Sequence, residues 1–344
     1  MKHWKTLSVM AAAVIGSTGL AQAQAPAAGG ALAAIKARGT LNCGVSTGNP
    51  GFSAPDDKGN WTGFDVDYCR AVAAVLFNDP AKVSYKPLTP KERFTALQSG
   101  EVDLLSRTTT WTMSRDASMG LVFAGIMYYD GQGFIVKKSL GVKSALDLKG
   151  ATICVQTGTT TEQNLADYFR TNKMDYKPVV FEKFDEAIQA YDAGRCDSYT
   201  TDQSGLFGQR LKMKNPDEHV VLPEIISKEP LGPVVKQGDF QWFTLTKWVY
   251  YALINAEELG VTQKNVDEML KSTNPEIKRL LGTEGEFGKS IGVDADWVVR
   301  IVKAVGNYGE LYDRTLGDGS PLKIARGANR LWNKGGIQYA PPIR

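Results

Sequence analysis

Two loops of the sequence combine hydroxyl side chains with groups that can bind an anion. The first covers residues 106–115 (SRTTTWTMSR), and the second covers residues 156–161 (QTGTTT), directly ahead of a predicted helix. Hydroxyls and backbone N–H groups at the carboxyl end of a strand suit an anionic group. Arg115 can bind a carboxylate through two parallel hydrogen bonds. Two ordinary explanations stay open: the Thr/Gly loop could be helix capping, and Arg115 could form a surface salt bridge.

A carboxylate in the second half of the chain could complete a site for a dipolar ligand. Asp202 follows the predicted strand at residues 196–201 and would face the same cleft as the first loop. It could instead cap the segment that begins at Gln203. A buried charge is costly unless it is paired, so a site for a zwitterion needs both signs. An arginine, several hydroxyls and an opposing carboxylate meet that requirement.

The elements that would position these groups alternate between strands and helices, and the order strand, helix, strand, helix, Gly-x-x-Asp, strand occurs twice. Hydrophobic residues at helical spacing between short apolar strands indicate parallel sheets flanked by helices. The sequence therefore predicts an α/β protein of two similar lobes. The predicted elements cover residues 41–45, 63–77, 83–85, 91–99 and 102–106 in the first copy, and 151–156, 162–172, 179–181, 185–193 and 196–201 in the second.

Two extended segments, residues 128–136 and 230–236, are predicted to cross between the lobes. The remainder from residue 240 is mostly helical, and we expect it to enlarge the first lobe and make it discontinuous. The predicted organisation is a signal peptide at residues 1–23, a first lobe at 31–133 and 237–344, and a second lobe at 134–236.

The N-terminus has the pattern of an export signal. Lys2 and Lys5 precede an apolar run at residues 7–20, which ends in Ala21-Gln22-Ala23. A basic start, a short apolar middle and an A-x-A end predict a secretory signal peptide that is cleaved after Ala23. The run is too short for a stable membrane span, so the prediction is an exported protein.

Composition excludes several classes of function. The chain of 344 residues has 40 Lys and Arg against 37 Asp and Glu, without the basic excess of a nucleic-acid-binding protein. Only His3 and His219 are histidines, which argues against His-ligated metal sites and Ser/His/Asp catalysis. No metal and no cofactor is predicted.

Four cysteines fit an oxidising compartment, where an even count indicates disulfides. They allow three pairings. One bond in each lobe is the simplest hypothesis: Cys43 with Cys69 in the first strand–helix unit, and Cys154 with Cys196 on strands that neighbour each other in such lobes.

Residues 63–73 (GFDVDYCRAVA) resemble the signature of the family 3 extracellular solute-binding proteins. Further similar features follow the family's order: residues 52–55 (FSAP), the Ser/Thr stretch ending in Arg115, residues 158–160 (GTT), residues 194–197 (GRCD) and Asp202. The resemblance implies a two-lobe type II periplasmic binding protein with two hinge crossings. It also implies a monomeric periplasmic receptor that captures L-amino acids with broad specificity and delivers them to the membrane permease of an ABC importer.

The resemblance also implies roles for individual residues. Arg115 would bind the α-carboxylate of the ligand, and Asp202 would bind its α-ammonium. Arg107 could reach an acidic ligand side chain or only a surface acid. The other ligand-binding residues implied are Thr108, Thr110, Thr159 and Thr160, with Phe52 or Trp111 replacing the stacking aromatics that relatives place at the positions of Asn49 and Pro90.

A rival interpretation is a periplasmic dehydratase on the same scaffold, with Glu162 as an acid–base group. No pair of carboxylates in a setting that would raise a pKa is evident from the sequence.

Overall fold

The computed structural model describes Met1 and residues 30–344. The predicted signal peptide therefore lies outside the described residues, apart from Met1. The strands are β1 Leu41–Val45, β2 Ala54–Pro55, β3 Trp61–Thr62, β4 Val83–Pro87, β5 Leu104–Leu105, β6 Leu121–Phe123, β7 Tyr128–Asp130, β8 Gln132–Lys137, β9 Thr152–Gln156, β10 Lys177–Phe181, β11 Ser198–Asp202, β12 His219–Val221, β13 Glu229–Leu231 and β14 Val234–Lys236. The helices are α1 Gly30–Arg38, α2 Phe64–Phe77, α3 Arg93–Ser99, α4 Met113–Ser118, α5 Thr160–Thr171, α6 Phe184–Asp192, α7 Gln203–Arg210, α8 Phe240–Glu258, α9 Val266–Met269, α10 Pro275–Leu280, α11 Phe287–Ser290, α12 Trp297–Val305 and α13 Tyr308–Thr315.

Two five-stranded sheets form the centres of two lobes. The first has the order β4-β1-β5-β14-β6, and the second has the order β10-β9-β11-β8-β12. Each contains the three parallel strands of the predicted repeat: β4, β1 and β5 in the first sheet, and β10, β9 and β11 in the second. The repeat and the two-lobe α/β class are confirmed.

Each sheet also takes in a strand from a crossing segment. β8 follows the first crossing and pairs antiparallel with β11, while β14 follows the second crossing and pairs antiparallel with β5. These two strands enter from the other lobe and run against the parallel set. The predicted second lobe ends at residue 236, whereas β14 (Val234–Lys236) lies in the first sheet. The exact lobe limits stay a prediction.

The two crossing segments pair with each other between the lobes. Strand β7 is antiparallel to β13, with Tyr128 opposite Leu231 and Asp130 opposite Glu229. Glu229 is therefore in the connection between the lobes, beside the point where the chain first leaves the first lobe.

The C-terminal part of the chain packs against the first sheet. Helices α8, α12 and α13 share one hydrophobic core with α2, which is buried along nearly its whole length. The Tyr68 hydroxyl donates to the carbonyl oxygen of Thr246 at 2.6 Å, and Arg314 pairs with Asp67 at 2.7 Å. Each contact joins α2 to this C-terminal part.

The core of the second lobe is divided by its sheet. Two separate hydrophobic clusters, one including Tyr191 and Tyr199 and the other including Leu165 and Phe169, pack on the strands. No helix among residues 30–344 is long and apolar enough to span a bilayer.

Each lobe contains one disulfide, as predicted. Cys43 is bonded to Cys69 with a Cα–Cα distance of 6.4 Å, and Cys154 is bonded to Cys196 with a Cα–Cα distance of 5.7 Å. The first bond joins β1 to α2. The second joins β9 to Cys196, just ahead of the neighbouring strand β11.

Candidate functional site

The signature segment at residues 63–73 places the carboxylate of Asp65 beneath the loop at residues 106–115. Gly63 has a φ of 121°, and a Cβ there would lie 2.4 Å from the carbonyl oxygen of Phe52, so only glycine fits. This close approach lets the N–H groups of Phe64 and Asp65 donate to the carbonyls of Gly51 and Phe52. The start of α2 is thereby fixed against the loop, and this fixes the position of Asp65.

Asp65 holds the loop that follows β5. Its carboxylate accepts from the Ser106 hydroxyl at 3.3 Å and from the Thr108 N–H at 3.1 Å. Thr108 has a positive φ of 48°, unusual for threonine, and the bond to Asp65 stabilises that backbone. Burial raises the pKa of Asp65 to about 7, opposed by the bond from Ser106 and by the charge of Arg107.

The second loop is a helix cap that also faces the cleft. The Thr159 hydroxyl accepts from the Glu162 N–H at 3.0 Å and donates to the Gln156 carbonyl at 2.6 Å. Glu162 in turn accepts from the Gly158 N–H at 2.8 Å. The capping interpretation of this loop is correct, and the same geometry places Thr159 and Thr160 on the cavity wall.

Asp202 stands at the N-cap position of α7, yet its side chain makes no capping hydrogen bond. Its Oδ1 is buried without a hydrogen-bond partner. Burial, with the nearby carboxylates of Glu229 and Asp130, raises the pKa of Asp202 well above its usual range, while Arg93 and Arg115 oppose the shift. This oxygen is therefore a buried acceptor that the fold leaves unsatisfied.

Three buried arginines of the first lobe lie opposite Asp202, which belongs to the second lobe. Arg107 and Arg93 are 2% and 3% exposed, and the Nε atom of each has no hydrogen-bond partner. Burial lowers the pKa of Arg107 to about 10 and that of Arg93 well below its usual range. Arg115 is also buried, and its Nη1 donates to the Thr110 carbonyl at 2.8 Å.

Arg93, Arg107 and Asp202 lie around a cavity of about 20 Å³ between the two lobes, which is little more than the space of one water molecule. An amino acid therefore enters only when the lobes move apart. Arg93 and Arg107 line the cavity on the first-lobe side, and Asp202 lines it on the other. The remaining lining residues are Pro90, Thr108, Thr110, Gln156, Thr159, Thr160, Thr161, Phe184 and Thr201.

A buried glutamate from the second crossing joins the two loops. The hydroxyls of Thr110 and Thr160 lie 3.2 Å apart, and both donate to one oxygen of Glu229, at 2.6 and 2.9 Å. The other oxygen of Glu229 accepts from Asn164 and Ser227, at 2.7 and 2.8 Å. Glu229 therefore contacts a first-lobe loop and a second-lobe helix at the same time.

The structure brings most of the predicted site residues together. Arg107, Thr108, Thr110, Thr159, Thr160 and Asp202 all line the cavity. Arg115 is outside the lining set but is bonded to the backbone of Thr110. Which of them contact a ligand stays a prediction.

The two aromatics predicted as ligand-binding residues, Phe52 and Trp111, do not line the cavity. Phe52 is buried in the first-lobe core against Phe64 and Tyr128, at ring distances of 6.1 and 5.3 Å. Trp111 stacks on Phe123 at 5.3 Å. Neither side chain lines the cavity, because each ring packs on an aromatic partner within the first lobe.

The sequence analysis missed two residues: Arg93, which lines the cavity, and Glu229, which joins the lining residues Thr110 and Thr160. A signal existed for Arg93, because it begins the helix after β4, at the same edge of the sheet as the loop after β5. No pattern marked Glu229, which depends on where the second crossing passes.

Comparisons with known proteins agree with this architecture. Residues 41–284 match the bacterial extracellular solute-binding proteins, family 3. The chain belongs to that family. It is 63% identical to the general L-amino acid-binding periplasmic protein AapJ of Rhizobium johnstonii, over 96% of this chain and 98% of the relative. It is 54% identical to the glutamate/glutamine/aspartate/asparagine-binding protein BztA of Rhodobacter capsulatus, over 96% of this chain and 99% of the relative.

A solved family structure is similar along most of its length. An ABC transporter periplasmic binding protein from Brucella ovis with glutathione bound is 64% identical, with a TM-score of 0.90, and the match covers 91% of this chain and 99% of that one. Within residues 30–344, no group of three or more His, Cys, Asp and Glu side chains could hold a metal ion.

Proposed function

We propose that this protein is the periplasmic substrate-binding component of an ABC importer, capturing L-amino acids with broad specificity and delivering them to a membrane permease. The observation that carries the proposal is the pairing of unsatisfied groups across one cavity. Guanidinium Nε atoms of Arg93 and Arg107 lie on one side, and a carboxylate oxygen of Asp202 lies on the other. A carboxylate and an ammonium on one ligand are the kinds of group that would satisfy them.

The relatives support the same ligand class. AapJ and BztA are named for amino acids, and the Brucella protein has glutathione bound. The glutamyl end of glutathione carries a free ammonium and a free carboxylate on one carbon, as an amino acid does. The proposal assigns the ammonium to Asp202 and the carboxylate to Arg115, with the hydroxyls of Thr110 and Thr160 turning from Glu229 to the ligand carboxylate.

The mechanism is closure of two lobes on a ligand that both must contact. A ligand shifts the open–closed equilibrium only as far as it binds the closed arrangement better. A zwitterion does so because its two charges pair with different lobes. We further propose that the protein acts as a monomer.

A dehydratase has less support. Glu162, its candidate acid–base group, is outside the cavity lining and accepts from the N–H of Gly158 in the helix cap. The relatives above are named as binding or transport proteins.

The test is a thermal-shift panel of the twenty L-amino acids on protein purified without its signal peptide and freed of bound ligand by unfolding and refolding. A ligand at about 100 times its Kd stabilises the native state by about 2.7 kcal/mol. We expect several L-amino acids to raise the melting temperature. L-Alanine methyl ester, which lacks the carboxylate, and L-lactate, which lacks the ammonium, are the matched controls and should give no shift. Absence of any amino-acid response, or equal responses to the controls, would contradict the proposal.

A further inference from the structure

The buried carboxylate of Glu229 receives all its hydrogen bonds from the chain itself. The side chain is 1% exposed. One oxygen accepts from the hydroxyls of Thr110 and Thr160, and the other accepts from Asn164 and Ser227. A buried carboxylate is costly unless it is hydrogen-bonded. Four donors therefore satisfy this group with no contribution from a ligand.

The donors to Glu229 come from both lobes. Thr110 belongs to the loop that follows β5 in the first lobe, whereas Thr160 and Asn164 lie on α5 in the second lobe. Glu229 itself begins β13, which pairs with β7 in the connection between the lobes. One carboxylate therefore fastens a first-lobe loop and a second-lobe helix to the crossing segment. It does so in an arrangement whose cavity is too small for an amino acid.

Glu229 uses the same hydroxyls that are proposed to bind the ligand carboxylate. A threonine hydroxyl has one proton to donate, so it can donate to Glu229 or to the ligand but not to both. The hydroxyls of Thr110 and Thr160 lie 3.2 Å apart, close enough for one incoming carboxylate to receive both bonds. Glu229 therefore competes with the ligand for these two donors.

Glu229 also balances part of the positive charge of the cavity. Burial lowers the pKa of Arg115, and the negative charges of Glu229 and Asp202 oppose that shift. Burial and the neighbouring arginines lower the pKa of Arg93, and the same two carboxylates oppose it. Glu229 is thus an internal carboxylate that contacts the hydroxyls and acts on the arginines, as the carboxylate of a ligand would.

We propose that Glu229 is a latch: its bonds to Thr110 and Thr160 hold the lobes closed when the cavity is empty, and an amino acid must displace it from both hydroxyls. The inference rests on the proposed function for the identity of the ligand, while the latch itself is made by the chain alone. A closed protein that admits no ligand reduces the fraction competent to bind, and the apparent affinity falls by that fraction. Glu229 therefore makes binding weaker than the cavity alone would give.

The first test measures closure by small-angle X-ray scattering. Unmodified protein, freed of bound ligand by unfolding and refolding, should have the radius of gyration of the closed arrangement, and saturating L-alanine should change it little. An unmodified protein that is open without ligand and closes with L-alanine would overturn the proposal, and this result needs no variant.

The same measurement on Glu229→Gln tests whether Glu229 is responsible. The substitution keeps the shape of the side chain but replaces a charged acceptor with a neutral one, which forms weaker hydrogen bonds. The ligand-free variant should therefore have a larger radius of gyration than the unmodified protein, and L-alanine should return it to the closed value. Equal values for the two ligand-free proteins would contradict the latch.

The second test is calorimetric titration with L-alanine. Glu229→Gln should bind at least about 5-fold more tightly than the unmodified protein, because the two hydroxyls are held less strongly. Glu182→Gln is the matched control: Glu182 pairs with Lys91 of the other lobe at 3.1 Å, but their side chains are 58% and 55% exposed. Loss of this exposed pair should change the affinity by less than about 2-fold. Equal or weaker binding in Glu229→Gln would reject the proposed competition.

Thr160→Val distinguishes competition for a hydroxyl from a general effect of charge. In the unmodified protein the Thr160 hydroxyl exchanges one carboxylate for another, so its removal should weaken L-alanine binding by less than about 3-fold. In the Glu229→Gln background the same substitution should cost about 5-fold more, because the hydroxyl there gains a charged acceptor. Additive effects of the two substitutions would show that Glu229 does not compete for this hydroxyl.

The outcomes separate the latch from the proposed function. A ligand-free protein that is closed, and that opens in Glu229→Gln, would support the latch even if no amino acid bound, and only the proposed function would then fail. Amino-acid binding with additive substitutions, and with the same scattering from both ligand-free proteins, would overturn the latch and leave the proposed function standing.

Discussion

The two walls of the cavity differ in charge. The first-lobe wall carries the guanidinium groups of Arg93 and Arg107. Arg115 is outside the lining but is bonded to the backbone of the lining residue Thr110. The carboxylate of Asp65 lies beneath the same loop and accepts from the N–H of Thr108. The second-lobe wall carries hydroxyls and the carboxylate of Asp202, and no cation from that lobe lines the cavity. Each wall can satisfy only one end of a dipolar molecule, so tight binding requires both walls at once.

This asymmetry explains how a ligand could control closure. A ligand held by one wall gains the same free energy in the open and closed arrangements and shifts nothing. A ligand that pairs its two ends with different walls gains the second interaction only on closure. Substitutions in one wall at a time therefore test whether each wall binds one end of the ligand.

The largest effect is expected from the second-lobe wall. Asp202→Asn removes the carboxylate of this wall and should weaken L-alanine binding by at least about 100-fold, because the ligand ammonium would be left without an anionic partner. Calorimetric titration measures the loss. Asp217→Asn, at an exposed position, is the matched control. Near-normal affinity in Asp202→Asn would show that the second wall does not bind the ammonium.

A somewhat smaller effect is expected from the first-lobe wall. Arg115→Ala should weaken L-alanine binding by about 30- to 100-fold, because Arg107 and Arg93 still supply positive charge at the cavity. Titrations with L-alanine and L-glutamate in the same variant measure this. A loss of less than about 3-fold would move the α-carboxylate to one of the other two arginines.

Asp65, the carboxylate beneath the first-lobe loop, should affect how stability depends on pH. The pKa of Asp65 is raised to about 7, so the native state keeps this proton while the unfolded chain loses it near pH 4. The free energy of unfolding should therefore fall as pH rises from about 4 to 7, by at most about 1.4 kcal/mol per pH unit from this group, and level off above.

Asp65→Asn should reduce that slope without abolishing it, since burial also raises the pKa of Asp130 to about 6. Urea unfolding of the ligand-free protein between pH 4 and pH 8 measures the difference. An unchanged profile in the variant would show that Asp65 does not titrate in this range.

The smallest effect is expected far from both walls, at the first crossing. Asn329 accepts from the N–H of Tyr129 at 2.7 Å and donates to its carbonyl at 3.1 Å, and Arg326 donates to the carbonyl of Asn329. Asn329→Ala should lower the free energy of unfolding by about 1–3 kcal/mol, because it leaves these backbone groups unpaired.

Because Asn329 anchors the crossing strand to the first lobe, the same variant should also weaken L-alanine binding, by less than about 10-fold. Asn215→Ala is a control at an exposed asparagine whose side chain makes no capping bond. An affinity loss as large as that of Asp202→Asn would contradict the division between binding walls and hinge support.

Much of the fold was predictable because it depends on local pattern. The repeated strand–helix order, the Gly63 signature and the one-disulfide-per-lobe pairing all agree with the structure. The loops at residues 106–115 and 156–161 were identifiable because parallel strands place their carboxyl ends at one edge of a sheet. The aromatics were not, since nothing in the sequence shows that the Phe52 ring packs on Phe64 and Tyr128.

The sequence by itself determined the kinds of groups available: two hydroxyl-rich loops, an arginine after the first, an aspartate after the strand of the second lobe, and a scaffold that presents them. The tertiary structure decided which of them remain unsatisfied. Asp202 lacks a capping bond, Arg93 reaches the cavity, and Glu229 joins Thr110 to Thr160. These pairings link residues far apart in the chain, and whether a buried polar atom finds a partner depends on distances that only the packed lobes fix.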